Sequence, residues 1–70
     1  MIVKKVTMRM LDERVVDTWL FDENTVEDMI ETWIFRETTK GRDTTWAEWR
    51  AKYKLSGTLE RVRYLRRNCV

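Results

Sequence analysis

The first residues of the chain alternate. Val6, Met8 and Met10 fall on one side of an extended backbone, and Lys5, Thr7 and Arg9 on the other. Such a period-two pattern predicts a strand with one buried face. "LDER" follows, then "VVDTWLF" over 15–21, rich in β-branched and aromatic residues. Two such runs joined by a short polar loop predict a hairpin. A two-residue turn at Asp12-Glu13 lacks the Gly or Asn that a type I′ turn prefers. A four-residue loop from Leu11 to Arg14 is therefore expected. It pairs Met10 with Val15 and Val6 with Trp19. Val6, Met8, Met10, Val15, Trp19 and Phe21 then share a face. Asp17 falls on that face too, opposite Met8, and does not fit it. A slip of one residue would turn Trp19 and Phe21 outward instead.

Beyond Phe21 the pattern becomes helical. Val26, Met29, Ile30, Trp33 and Ile34 recur at the spacing of one face of an amphipathic helix. Asn24 or Thr25 is expected to cap it, with Glu27 or Asp28 completing a capping box. The helix is predicted to end near Arg36 or Thr38, with Gly41 in "TTKGRD" as the breaker. A second helix is predicted from Thr44 or Thr45, where Thr45 and Glu48 repeat the capping-box spacing. Glu48 and Lys52 form a favourable i, i+4 pair. Trp46, Trp49 and Tyr53 share a narrow stripe, and Ser56-Gly57 is expected to stop the helix.

The last segment, "TLERVRYLRRNCV", fits two readings. As a strand, Val62 and Tyr64 face in while Arg61 and Arg63 face out. As a helix, Arg66 falls among Leu59, Val62 and Leu65. A two-stranded hairpin is marginal alone, so a third strand is preferred. The fold class expected is α+β, one compact domain over 1–70 in the order β-β-α-α-β. A three-stranded antiparallel sheet packs on two helices; a helical last segment is the alternative.

Composition narrows the means of stabilising this fold. Seventy residues allow one domain and a small core. A single cysteine, Cys69, excludes an internal disulfide, and the absence of histidine excludes a His/Cys zinc site. Four Trp, two Tyr and two Phe are then expected to supply much of the packing. No apolar run is long enough for a signal peptide or a membrane span. With the lone cysteine, this predicts a soluble cytoplasmic protein without membrane contact.

Charge is divided along the chain. Residues 1–40 carry 6 Lys/Arg and 9 Asp/Glu, a net of −3; residues 41–70 carry 8 and 3, a net of +5. Either a charged partner is implied or the halves neutralise each other across the fold. Catalysis has little to draw on. The commonest general base is missing, and Cys69 lies near the chain end as a poor nucleophile. There is no Gly-rich phosphate loop. No catalytic residue, metal site or cofactor is assigned, and the protein is read as not an enzyme.

Two surfaces remain. Glu23, Glu27 and Glu31 follow one another at i, i+4 and i+8 beside Asp28, with no Lys or Arg at i+3 or i+4. Like charges at that spacing are unfavourable. Phe35 projects between Glu31 and Asp28, as an interface anchor with a charged rim would. The plainer reading packs Phe35 under the second helix and pairs the acids with arginines of residues 50–67. The second surface is basic: Arg61, Arg63, Arg66 and Arg67, joined by Arg50, Lys52 and Lys54. Aromatic rings beside such a patch suit single-stranded nucleic acid. Of the aromatic stripe, Trp46 and Tyr53 are read as core and Trp49 as the ring that looks outward.

The general character, one compact domain with divided charge and no catalytic set, resembles the small accessory proteins of phages and mobile elements. That resemblance implies binding and inhibition of a host enzyme such as RNA polymerase, a restriction enzyme or a CRISPR effector. The expected function is a non-enzymatic protein-binding module, an inhibitor or adaptor. Its partner-binding residues are Glu27, Asp28, Glu31, Phe35 and Trp49. The alternative is a nucleic-acid binder using Arg61, Arg63, Arg66 and Arg67. A homodimer is the third possibility.

Overall fold

A computed structural model describes residues 1–62. Strand β1 (Ile2–Met10) lies at the centre of a three-stranded antiparallel sheet, between β2 (Val15–Asp22) and β3 (Tyr53–Arg61). Helices α1 (Glu27–Thr38) and α2 (Trp46–Lys52) come between β2 and β3 in sequence. The expected order β-β-α-α-β is the observed one.

The hairpin register agrees with the alternation over most of its length. Val6 pairs with Trp19 and Met8 with Asp17. At the tip the expectation is corrected. The Met10 carbonyl accepts from the Glu13 N–H at 2.9 Å, and the Met10 N–H donates to the Arg14 carbonyl at 2.9 Å. The loop is thus three residues, Leu11 to Glu13, with Glu13 at φ 73°. A turn followed by a left-handed residue suits the twist of the flanking strands. The register then shifts between Met8 and Arg9, so that Arg9, not Met10, pairs with Val15. One extra residue in β2, Val16, absorbs the difference as a bulge. Val15 is thereby turned away from the shared face and is 58% exposed. Asp17 does stand on that face, but on an edge strand, where its carboxylate reaches solvent and accepts from the Thr18 N–H at 2.7 Å.

Both helices pack on one side of the sheet. The core is Val6, Met8, Trp19, Phe21, Ile30, Ile34 and Trp49, with Trp33, Phe35, Tyr53 and Leu55 packed against it. Of the five positions on the expected apolar face of α1, only Ile30 and Ile34 are buried and Trp33 is half-buried. Met29 is 64% and Val26 57% exposed. The N-cap is Val26, with no side-chain cap, rather than Asn24 or Thr25. Asp22 uses those two residues for a turn. Its carbonyl accepts from the Thr25 N–H at 3.0 Å, and its carboxylate from the Asn24 N–H at 2.8 Å. The Lys4 ammonium donates to the Thr25 carbonyl at 2.7 Å and ties this turn to β1. At the other end, the Thr39 N–H and hydroxyl both donate to the Phe35 carbonyl. Gly41 at φ 76° carries the chain out of the helix, in a conformation that glycine adopts without steric cost.

Thr45 caps α2 as its spacing predicts, accepting from the Glu48 N–H at 3.2 Å. The expected stop at Ser56-Gly57 is corrected. The helix lasts seven residues, and its C-cap, Tyr53, is already the first residue of β3. Pairing with β1 takes over there. Nine consecutive pairs run from Met10↔Tyr53 to Ile2↔Arg61, with Ser56 and Gly57 inside the strand. The third strand therefore starts five residues before Thr58, where the sequence places it. Tyr64, in the remainder of that expected strand, lies outside the described residues, as does Cys69.

The other side of the sheet carries Lys5, Thr7 and Arg9, yet it is not wholly polar. Val3 at 1% and Leu20 at 5% exposure are buried there, apart from the main cluster. Lys5 and Glu60 form a 3.9 Å ion pair on the same side.

Candidate functional site

The outward surface of α1 is where the sequence concentrates its unexplained residues. Glu27 and Asp28 occupy the first turn and are exposed. Carboxylates there interact favourably with the helix N-terminus. Neither enters an ion pair among the described residues, and neither does Glu23. Glu31 behaves differently. It is half-buried and meets the Arg50 guanidinium at 3.4 Å. Arg50 in turn sits 5.5 Å from the centre of the Trp46 ring, a cation–π distance. Glu31–Arg50 and Glu13–Lys54 both join an acid of residues 1–40 to a base from beyond it. The charge division is thus partly neutralised within the fold; Glu27 and Asp28 on the first turn of α1 are among the acids that enter no ion pair among the described residues, with Asp17, Asp22, Glu23 and Glu37.

Phe35 and Trp49 are placed together, Trp49 buried and Phe35 half-buried. The Phe35 ring meets Trp46 at 5.1 Å and Trp49 at 5.5 Å, edge to face in both pairs. Trp46 and Trp49 stack at 5.6 Å, and Tyr53 closes the group at 5.9 Å from Trp49. The expectation that Trp49 looks outward and Trp46 inward is reversed. Trp49 is 3% exposed and Trp46 39%. The cause is local. Trp49 donates its indole N–H to the Thr38 hydroxyl at 2.9 Å, and a buried indole takes the side of the helix that offers an acceptor. Trp49 is therefore unavailable to a partner without opening the aromatic cluster, and Phe35 is half-buried against α2.

Exposed apolar side chains of α1 lie instead on its other flank. An open trough is lined by Asp28, Met29, Thr32, Trp33 and Arg36. Its floor is the Trp33 ring, held by edge contacts to Phe21 at 5.7 Å and Trp19 at 6.4 Å. Met29 and Val26 stand beside it. Sequence reasoning assigned Met29 and Val26 to the buried stripe. The only signal of their exposure was length: a short helix on a narrow sheet covers few side chains.

A second recess lies between α1 and β3. It encloses about 110 Å³ and is lined by Lys4, Val6, Glu27, Ile30, Glu31, Leu55, Ser56 and Gly57. Gly57, facing Val6 across the β1–β3 ladder, contributes no side chain to it.

Of the basic surface, Arg61 ends β3 and is exposed. Arg63, Arg66 and Arg67 lie outside the described residues. Among the described residues, no group of three or more His, Cys, Asp or Glu side chains is placed to hold a metal ion. No helix among them is long and apolar enough to cross a membrane. Compared with protein-family profiles, with curated proteins and with solved structures, the chain matches none.

Proposed function

We propose that this protein is a small non-enzymatic protein-binding module, an inhibitor or adaptor acting in the cytoplasm, that docks through the outer face of α1. One observation carries the reading: Val26 and Met29 are 57% and 64% exposed beside Glu27 and Asp28, which have no ion-pair partner among the described residues. Apolar side chains ringed by charge, next to a half-buried tryptophan, have the make-up of an interface anchor and its rim. The partner surface that fits is basic, with an apolar cleft for Met29. Binding blocks that surface sterically. Relative to the sequence expectation, Glu27 and Asp28 keep their role and Met29 and Trp33 join them, while Glu31 is engaged by Arg50 and Phe35 and Trp49 belong to the aromatic cluster.

The test is capture of a stoichiometric partner from native lysate with the wild-type chain and with Asp28→Lys/Met29→Ala. The double variant is expected to keep its thermal midpoint and lose the partner. Unchanged capture by the variant rejects the docking face. Capture of nucleic acid, released by salt and insensitive to these two substitutions, rejects the protein-binding reading altogether.

A further inference from the structure

The two edges of the sheet are unlike. The β2 edge is interrupted by the bulge at Val16, a device that blunts an edge against further pairing. The β3 edge has none. Its nine residues pair with β1 in unbroken register, and it contains no proline. Alternate N–H and C=O groups of such a strand point away from the sheet and template another strand. Ser56, Gly57, Thr58 and Leu59 are all exposed along it.

The recess of about 110 Å³ opens beside this edge at Gly57. A side chain from a strand added outside β3 can cross Gly57, where no side chain stands in its way. It would pass over an apolar floor of Val6, Leu55 and Ile30. At the far wall it reaches Glu27, with no ion-pair partner among the described residues, and Glu31, shared with Arg50. Lys4 also lines the recess, but its ammonium is drawn to the Thr25 carbonyl. This lining suits a long side chain with an aliphatic stem and a cationic head. Two residues along β3 on the same face, Leu59 is 64% exposed, with Ile2 nearby on β1 at 40%.

We infer that β3 accepts an extended segment of a partner protein as a fourth strand, and that this segment carries a Lys or Arg entering the recess over Gly57 and an apolar residue covering Leu59. Recognition is by strand addition: main-chain bonds along the edge supply affinity, and the recess supplies selectivity. The inference rests on the protein-binding reading; its recess shares Glu27 with the α1 face but not Asp28 or Met29.

The test titrates the isotope-labelled full chain with capped peptides of about nine residues, alternating Thr and Val around a central Arg, Glu or norleucine. The Arg peptide is expected to shift and protect amides along Tyr53–Arg61. The Glu peptide should bind roughly tenfold or more weakly. Glu27→Gln should shrink that discrimination without changing the thermal midpoint. Gly57→Val fills the recess with a residue that favours strands and should cost the Arg peptide about tenfold in affinity while the fold is kept. Gly57→Ala is a second variant certain to fit, because the added Cβ meets Val6 and the Lys5 carbonyl at 3.7 and 3.8 Å; it should give an intermediate loss. Asp28→Lys/Met29→Ala should leave peptide binding unchanged, so this site and the α1 face fail separately. The inference is overturned if no peptide binds, if Arg and Glu peptides bind alike, if filling the recess changes nothing, or if the shifts fall on β2 or the α1 trough.

Discussion

The Trp49 indole N–H donates to the Thr38 hydroxyl at 2.9 Å, and that hydroxyl donates onward to the Ile34 carbonyl at 2.8 Å. One threonine thus satisfies the polar atom of a buried tryptophan and fastens α2 to the last turn of α1. Removing it leaves a buried donor unpaired, which typically costs about 1–3 kcal/mol. Thr38→Val is expected to destabilise by an amount in that range, and Thr38→Ser by much less. Urea denaturation followed by tryptophan fluorescence separates the two; a larger loss in Thr38→Ser than in Thr38→Val would mean that the methyl group, not the hydroxyl, carries the effect.

Ile34 is 0% exposed, while Met29, on the same helix, is 64% exposed. Ile34→Ala should cost about 2–5 kcal/mol, a large share of what a domain this small possesses. Met29→Ala should lie within about 0.5 kcal/mol of wild type. Chemical denaturation of the pair checks both. A costly Met29→Ala would show that this side chain serves the fold, and would weaken its assignment to a docking face.

The Glu13 carboxylate bonds to the Lys54 ammonium, across from the hairpin tip to β3. That hydrogen bond first, and the charge of Lys54 second, hold the Glu13 carboxyl below its ordinary value of 4.5. A depressed folded-state value means the pair's contribution is fully present above the unfolded value and is lost as pH falls through the folded one. The group is exposed, so the contribution is small and screened by salt. Carboxyl chemical shifts should show Glu13 titrating below 4.5, moving up in Lys54→Met and at high ionic strength. An unchanged midpoint in Lys54→Met would dismiss the pair.

Glu13 also sits at φ 73°, a conformation rare for residues other than Gly, Asn and Asp, and an outlier for β-branched ones. Glu13→Gly should fold with the same register and no lower thermal midpoint, despite losing Lys54. Glu13→Val should melt lower. The reverse order would mean the ion pair outweighs the backbone preference.

The hairpin's body was legible because alternation fixes which side chains share a face, and Val6↔Trp19 and Met8↔Asp17 followed from it. Its tip was not, because Glu13 carries no mark of a left-handed residue, and the bulge at Val16 exists only to compensate for that turn. Gly57 was misread for a related reason. Glycine punctuates helices, but here it stands inside a strand, and only the partner strand β1 distinguishes the two. The stripe of Trp46, Trp49 and Tyr53 was correctly grouped, yet which ring is inside depends on Thr38 and Phe35, on another helix. At the candidate site, spacing within α1 singled out Glu27 and Asp28, but Glu31 with them, which Arg50 from the next helix pairs. The exposure of Met29 could not, since it depends on how much of the helix the sheet covers.

The centre of the sheet, β1, precedes β2 directly, whereas its second partner, Tyr53–Arg61, follows both helices. During synthesis the hairpin is complete once Asp22 has emerged, but β1 keeps one bare edge until the chain reaches residue 61. At about 5–20 residues per second, that interval is roughly 2–8 s. Contacts so distant in sequence also form slowly on entropic grounds. For that time the nascent protein leaves open one edge of the very strand that its finished form encloses on both sides.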